Sequence, residues 1–423
     1  MAKKHHNYAN GISELDDHSV TKHKVLVEYL IRYFEQRTLN FRGREKFKIT
    51  LVDGFCGSGQ YQLKNSGQIV YGSPLQMIKA VEEAQIRVNV GRTKQVNLEV
   101  QYIFIDKDKH AISHLRDVLK KEGYEDLFNK TIHLICSEFV IQIEDILRRI
   151  RLHTPRASTA LFFLDQYGYA EVPAPLIQRI FKELSNAEII LNFHVSSFAT
   201  YTNDELVNKI SSTLSIDILS RLGGKSIEQI KANDADWRRF IQGALYEALV
   251  RGCNAKFFTP FFIRGAGAGH GEYWLVHLSQ HHRAQDVMKQ VHWQHHNHFI
   301  HYGGAGLDML APQTMGYMQE FDGGFKFDDG AKSKSDEALF EQLGKKIFEL
   351  TSPKTIGSLY ADTCNTSPST ADMYKSTLEK LVAEKSAVIY SDDGRPRNSA
   401  RYMTDKDTIE VSPQIKLFLP SKS

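Results

Sequence analysis

Apolar positions recur along the chain at two periods, and the changes of period mark its elements. Over residues 19–36, Val25, Leu26, Tyr29, Leu30, Tyr33 and Phe34 lie at helical spacing, which predicts an amphipathic helix that Ser19 could cap. Residues 1–17 are polar and read as a flexible N-terminus. Short apolar runs at 48–52, 100–105, 131–135, 160–164 and 188–193 predict buried strands. Helical patterns at 110–121, 140–151 and 176–184 separate them. Gly72-Ser73-Pro74 predicts another helix start, with Ser73 as N-cap and Pro74 at the first helical position. Strands alternating with helices predict an α/β fold with a mostly parallel sheet.

Beyond residue 200 the pattern changes twice. Residues 201–256 read as a helical insertion. Two strand-like runs at 257–263 and 273–278 flank the stretch Gly265-Ala-Gly-Ala-Gly-His-Gly271, and 282–294 reads as a helix. Residues 302–335, rich in Gly, Asp, Lys and Ser, read as a linker that closes a first domain over 18–301. Helices are predicted at 339–350, 355–361 and 370–385. A strand at 387–390, a Gly394-Arg395-Pro396-Arg397 turn and a strand-like run at 402–411 follow. Three helices and a hairpin with a basic tip predict a winged-helix domain over 336–423.

Composition narrows the function classes. Over 423 residues the chain is 42% hydrophobic and 24% charged, which excludes a mainly disordered chain. A net charge of +3 excludes a polycationic tail protein but leaves room for a local basic patch. Cys56, Cys136, Cys253 and Cys364 are too scattered for a disulfide scaffold or a zinc finger. The polar start lacks a signal-peptide core and no apolar run reaches membrane-spanning length, so the expectation is a cytoplasmic protein with no membrane partner.

The strongest local signal is Val52-Asp53-Gly54-Phe55-Cys56-Gly57-Ser58-Gly59, an acidic residue and a glycine loop after a buried strand. Glycine allows a sharp turn and close approach to a ligand, and open α/β sheets bind ligands at the carboxyl ends of strands. Gln60-Tyr61-Gln62 breaks the dinucleotide GxGxxG spacing. Asp53, Phe55, Gly57 and Gly59 are therefore candidate ligand contacts; an ordinary strand-to-loop turn is the alternative. Asp106 ends the next strand and could accept both hydroxyls of a ribose, with Asp108 starting the helix after it. Residues 60–72 and 87–98 read as inserted loops that lengthen the spacing between these acids. Glu138 and Ser137, after the third strand, could meet an adenine edge, although Ser137 also suits a helix cap. Asp165 and Tyr167 follow the fourth strand, where a carboxylate could align or deprotonate a nucleophile and a phenol could stack on a base.

Taken together, these motifs resemble the three-Cys-motif partner protein (TcmP) family. The matching features are His18-Ser19 with Lys22, Asp53 to Gly59 followed by Gly72-Ser73-Pro74, and Ile105 to Asp108. Phe163 to Gly168 and Asn192-Phe193 complete the set. The resemblance covers about residues 15–300, with a winged-helix tail similar to the one attached to that family. It implies a Rossmann-like, class I methyltransferase-like fold. Asp53, Gly57 and Gly59 would then lie beside the methionine part of S-adenosylmethionine, with Asp106 on its ribose. It also implies association with a separate three-cysteine protein of radical-SAM type. Two departures bear on substrate geometry: Gln166-Tyr167-Gly168 stands where the family usually has Pro-Phe-Gly, and Cys56 and Ser58 where it usually has Ala and Pro.

Three other features carry alternatives. Arg395, Arg397 and Arg401 could line a nucleic-acid backbone, DNA or RNA, although Asp392 and Asp393 offset them and a protein-contact wing fits nearly as well. The Gly265–Gly271 loop could cradle a phosphate, or simply turn a hairpin. Histidines crowd residues 281–301, with His292 and His296 at i, i+4, a spacing able to bind metal. A solvated or nucleic-acid-facing surface is the favoured reading, and no metal is expected. The leading functional expectation is a SAM-binding, methyltransferase-like protein acting on or with nucleic acid in a bacterial or phage modification or defence system. A non-catalytic partner subunit and a hydrolase or base-excision enzyme are the alternatives.

Overall fold

The computed structural model describes residues 12–15, 17–41, 43–166, 171–194, 252–264, 272–295, 305–307 and 328–413. These fall in two compact units, Met1–Val291 and His292–Ser423. The helical reading of 201–256 lies almost wholly outside the described residues, as do Tyr167 and the Gly265–Gly271 loop.

In the first unit, β1 (Glu14–Leu15) leads into α1 (Asp17–Thr38), β2 (Lys46–Asp53), β3 (Gln60–Leu63), β4 (Ile69–Tyr71) and α2 (Ser73–Arg87). Then come β5 (Asn97–Asp106), α3 (Lys109–Lys121), β6 (Ile132–Cys136), α4 (Phe139–His153), β7 (Thr159–Leu164), α5 (Ala174–Glu183) and β8 (Asn186–His194). The unit ends with β9 (Phe257–Arg264), β10 (Glu272–Ser279) and α6 (His282–Gln294), whose last turn crosses into the second unit. All six residues of β7 are buried, as are Ile49 to Asp53 of β2, because these strands are covered on both faces. Each large side chain buried there, such as Phe162 or Phe163, contributes roughly 1.5–3 kcal/mol.

Seven strands form one sheet in the order β6-β5-β2-β7-β8-β10-β9. The pairs from β6 to β8 are parallel, and β10 lies antiparallel between β8 and β9. The strand order reverses between β2 and β7. In a doubly wound sheet the crevice outside the carboxyl ends at such a switch point is where ligands bind. Asp53 ends one of the two strands that flank it, and Asp165 directly follows the other. The stretch after β2 is more than an inserted loop: β3 and β4 form a small sheet with β1, which pairs parallel to β3.

One cap differs from expectation. Gly72, extended, is the N-cap of α2, and Ser73 is already helical. The Ser73 side chain sits beside Asp53 rather than capping its own helix. Asp108 does cap α3, accepting from the His110 amide at 2.8 Å.

The second unit contains α7 (Asp329–Phe348), β11 (Lys354–Thr355), α8 (Ile356–Thr363), α9 (Ala371–Ala383), β12 (Ala387–Tyr390) and β13 (Thr408–Val411). The three strands form an antiparallel sheet in the order β11-β13-β12. Helix α7 begins ten residues before the expected start at Leu339, because Asp328 caps it by accepting from the Ala331 amide at 2.8 Å. Leu339, Leu343, Tyr360, Tyr374, Leu378 and Ile409 form the core.

Candidate functional site

The glycine loop is stitched to the strands on either side of β2. The Gly54 amide donates to Phe163 O at 3.0 Å, and the Cys56 amide to Ile105 O at 2.9 Å. The Gly57 amide donates to Asp106 Oδ2 at 3.0 Å. Gly59 has φ +78°, and a Cβ there would stand 2.5 Å from Leu115 Cδ1, so the turn requires glycine. The Gly72 amide returns to Gly59 O at 2.8 Å, which ties the start of α2 to the loop. Cys56 is buried inside the turn, with Sγ 3.7 Å from Gly57 O, and burial raises its thiol pKa well above the ordinary range. It packs as a small core residue.

Asp53 is fully buried. Its Oδ1 accepts from the Phe55 amide at 3.1 Å, while its Oδ2 is buried without a hydrogen-bond partner. Burial pushes its pKa up to about 7, against the pull of Ser73 and the Phe55 amide, and repulsion from Asp165 and Asp106 adds to the rise. Asp106 is also raised by burial, against the amides of Asp108 and Gly57, which donate to its two oxygens at 2.8 and 3.0 Å. Asp106 thus orders the glycine loop as well as facing the crevice, and each oxygen keeps a lone pair for a further donor.

Asp165 is not a free base. Lys22 of α1, itself buried, donates to both its oxygens at 2.7 and 2.8 Å, and Asn192 Nδ2 donates to Oδ1 at 2.6 Å. Burial alone would raise the Asp165 pKa, but Lys22, with His23 and Asn192, outweighs it and holds the carboxyl below its ordinary range. A carboxylate so stabilised is a poor proton acceptor, and of the two roles expected for Asp165 it suits aligning a nucleophile better than deprotonating it. Burial lowers the pKa of neighbouring His23 to about 4, so this imidazole is neutral near pH 7. Asn192 Oδ1 is buried without a hydrogen-bond partner. Gln166 is buried and accepts from the Val172 amide at 2.9 Å, so it serves the backbone that follows.

Lys22 and Asn192, which belong to the family resemblance but are not among the candidate site residues, complete the site. Lys22 precedes Leu26 and Tyr29 by four and seven residues, so it lies on the buried stripe of α1. A lysine there needs a buried partner, and that was the available signal. A second buried group joins the same helix to the sheet. The Tyr29 hydroxyl donates to Glu188 Oε2 and lies 3.0 Å from His277 Nε2, which is 3.3 Å from Glu188.

The remaining candidates are dispersed. Phe55 is half-buried beside Phe139, with ring centroids 6.3 Å apart. Glu138 is exposed at the N-cap of α4, and the Ser137 hydroxyl accepts from Gln142 Nε2 at 3.1 Å rather than capping the helix. In the second unit, Arg395 pairs with Asp393 at 3.0 Å and Arg397 with Asp407 at 3.4 Å. The Arg401 guanidinium lies 5.8 Å from the Tyr402 ring centre. His292 is fully buried, against the expected surface reading, because it falls on the core-facing side of α6 with Met288. His281 and His295 are exposed, and His296, His298 and His301 lie outside the described residues. No group of three metal-ligating side chains occurs among the described residues.

No family model and no curated protein matches the chain. Solved structures give weak likenesses. A Bordetella parapertussis protein described as exported is 11% identical, with 59% of this chain and 66% of that one covered, at a TM-score of 0.23. A Methanococcus maripaludis protein described as an S-adenosyl-L-methionine-dependent methyltransferase is 13% identical, with 62% and 90% covered, at 0.25. A geranyl diphosphate methyltransferase in complex with GPP and sinefungin is 11% identical, with 59% and 77% covered, at 0.21. Likenesses of this strength carry no argument about the chain. Among the described residues no helix is long and apolar enough to cross a membrane. The sheet order and its switch point carry the fold: a mostly parallel seven-stranded sheet with helices, compatible with a Rossmann-like fold.

Proposed function

We propose that the first unit binds S-adenosylmethionine in the crevice above β2 and β5, as a class I methyltransferase-like protein. The observation that supports this is the charge arrangement there. Asp106 and Asp165 both repel a charge on Asp53, and a buried oxygen of Asp53 has no hydrogen-bond partner. A ligand bearing an ammonium and a sulfonium relieves that repulsion, and Asp53 suits the ammonium while Asp106 suits the ribose hydroxyls. Phe55 and Glu138 would flank the adenine. S-adenosylmethionine supplies an already activated methyl group, so the chain's own contribution is to orient the acceptor. Asn192 Oδ1, beside the Lys22–Asp165 pair, is the acceptor-orienting atom in this reading. The second unit would be a winged helix that presents nucleic acid, in a modification or defence system.

A second reading has a specific observation in its favour. Lys22 and Asn192 occupy Asp165, as suits a subunit that binds the nucleoside without transferring its methyl group. In the resemblance drawn above, such a subunit would serve a radical-SAM-type three-cysteine partner. The low Asp165 pKa speaks against the hydrolase and base-excision alternative, which needs a basic carboxylate. Calorimetry with S-adenosylmethionine and S-adenosylhomocysteine tests the shared premise. Heat with both is expected, and its loss in Asp106→Ala. No heat with either ligand overturns both readings. Release of S-adenosylhomocysteine on incubation with nucleic acid separates the enzyme from the binding subunit.

A further inference from the structure

A second cavity, of about 420 Å³, opens on the other side of the sheet's working edge, between the last turns of α4 and strands β5 and β6. Gln101, His133, Lys130, Arg148, Arg149 and His153 line it. It is separate from the crevice described above. Gln101 precedes Asp106 by five residues on one strand, about 17 Å at a rise of about 3.3 Å per residue. Helix α4 leaves the carboxyl ends at Phe139 and carries Arg148 to His153 back toward the amino ends, before β7 begins.

Two features give the cavity a chemistry. The first is charge. Lys130 is exposed and has no carboxylate partner among the described residues, and it adds to two arginines. Asp145 is the only acid paired with those arginines among the described residues. It binds Arg148 Nη2, and its other oxygen takes Arg149 Nε at 2.5 Å. Beyond the rim Lys48 faces His153, with Glu99 held by Lys46 and Lys48. Cations therefore outnumber acids around the opening.

The second feature is unmet hydrogen bonding. His133 Nδ1 lies 3.5 Å from Arg149 Nη1, and a guanidinium can only donate. The neutral ring must then carry its proton on Nε2, and Nε2 is buried with no hydrogen-bond partner. Burial and the Arg149 charge both lower the His133 pKa, which agrees with a neutral ring. Gln101 Oε1 is also buried without a partner. A buried donor left unsatisfied costs about 1–3 kcal/mol, and since neither atom has exposed surface, a turn of the His133 ring toward the opening is what would bring Nε2–H to a ligand oxygen.

We propose that this cavity is a phosphate-binding site, taking the phosphate of a nucleotide or of a nucleic-acid backbone. Arg148, Arg149 and Lys130 hold the anionic oxygens, and the His133 ring, turned so that Nε2–H faces the opening, donates to one of them. Arginine forks suit phosphate geometry, and the concave shape suits a compact group. The site stands independently of the S-adenosylmethionine reading, since it shares no residue with that crevice.

Calorimetric titration of the full chain with pyrophosphate, uridine diphosphate and a short oligothymidylate tests it. Wild type is expected to bind at least one probe, and Lys130→Ala with Arg148→Ala to weaken binding about tenfold or more. Both replaced side chains are exposed, so the double variant should fold as wild type does. Nitrogen NMR of the His133 ring provides the local readout: Nε2 is expected to shift on titration. Binding of uridine diphosphate identifies a nucleotide as the source of phosphate, and binding of the oligothymidylate alone identifies the nucleic-acid backbone. Failure of all three probes to bind, binding unchanged in the double variant, or an unmoved His133 resonance overturns the proposal.

Discussion

A lysine on the buried stripe of a helix is stable only with its charge matched, and Lys22 finds its match in Asp165 across the fold. Removing one member of such a pair strands the other, at a cost of about 3 kcal/mol or more. Lys22→Ala is therefore expected to lower the urea midpoint markedly. Lys22→Met with Asp165→Asn, which removes both charges, should cost less than Lys22→Ala alone. Asp53 has the opposite electrostatics. Its folded pKa is raised from 3.8 to about 7, so the folded state holds the proton more tightly than the unfolded chain. The stability it lends is full below its unfolded pKa and is lost as pH rises toward about 7. Wild type should weaken relative to Asp53→Asn by about 1.4 kcal/mol per pH unit between about pH 4 and 7, with no further change above. Denaturant melts of both proteins across that range check the slope.

At the scale of elements, the glycine loop is the part most tightly determined by local chemistry. Gly59→Ala forces a side chain into Leu115 at a positive φ, and a loss of about 1–3 kcal/mol is expected, together with weaker S-adenosylmethionine binding. Thermal melts and calorimetry of that variant provide the test. The loop and its strand were legible because a continuous apolar run ending in Asp53 and a glycine pair has few other uses. The alternation that places Asp106 and Asp165 at strand ends was legible for the same reason. Their partners were not. Nothing local in the chain says that residue 22 meets residue 165, or that Tyr29 meets Glu188 and His277, because those pairings are made by tertiary packing. Ser73 shows the same limit in reverse: its local pattern fits a helix cap, and a buried carboxylate competes for it.

At the scale of the whole molecule, the net charge of +3 averages unlike regions. The carboxyl edge of the sheet is acidic, the α4 cavity is basic, and the arginines of the second unit are partly neutralised. Arg395 is 79% exposed even in its pair with Asp393, whereas Arg397 pairs with Asp407, which is 3% exposed. Their replacements should differ in kind. If the second unit contacts nucleic acid, Arg395→Ala should reduce the slope of log binding against log salt by about 1, leaving stability unchanged. Arg397→Ala should instead lower stability, because it strips a buried carboxylate of its cation. Salt titrations and melting curves on the two variants separate these effects.

The buried thiol in the turn gives this molecule a built-in clock. Cys136 is exposed and Cys56 is sealed inside the glycine loop, with its thiol far from ionised. An alkylating reagent should mark Cys136 quickly and Cys56 only at the rate at which the loop opens. Peptide mass spectrometry resolves the two, so the slow label measures opening of that turn without any engineered probe. A nucleoside seated in the crevice should slow Cys56 and leave Cys136 unchanged; equal rates at the two positions would mean the turn is not closed in solution.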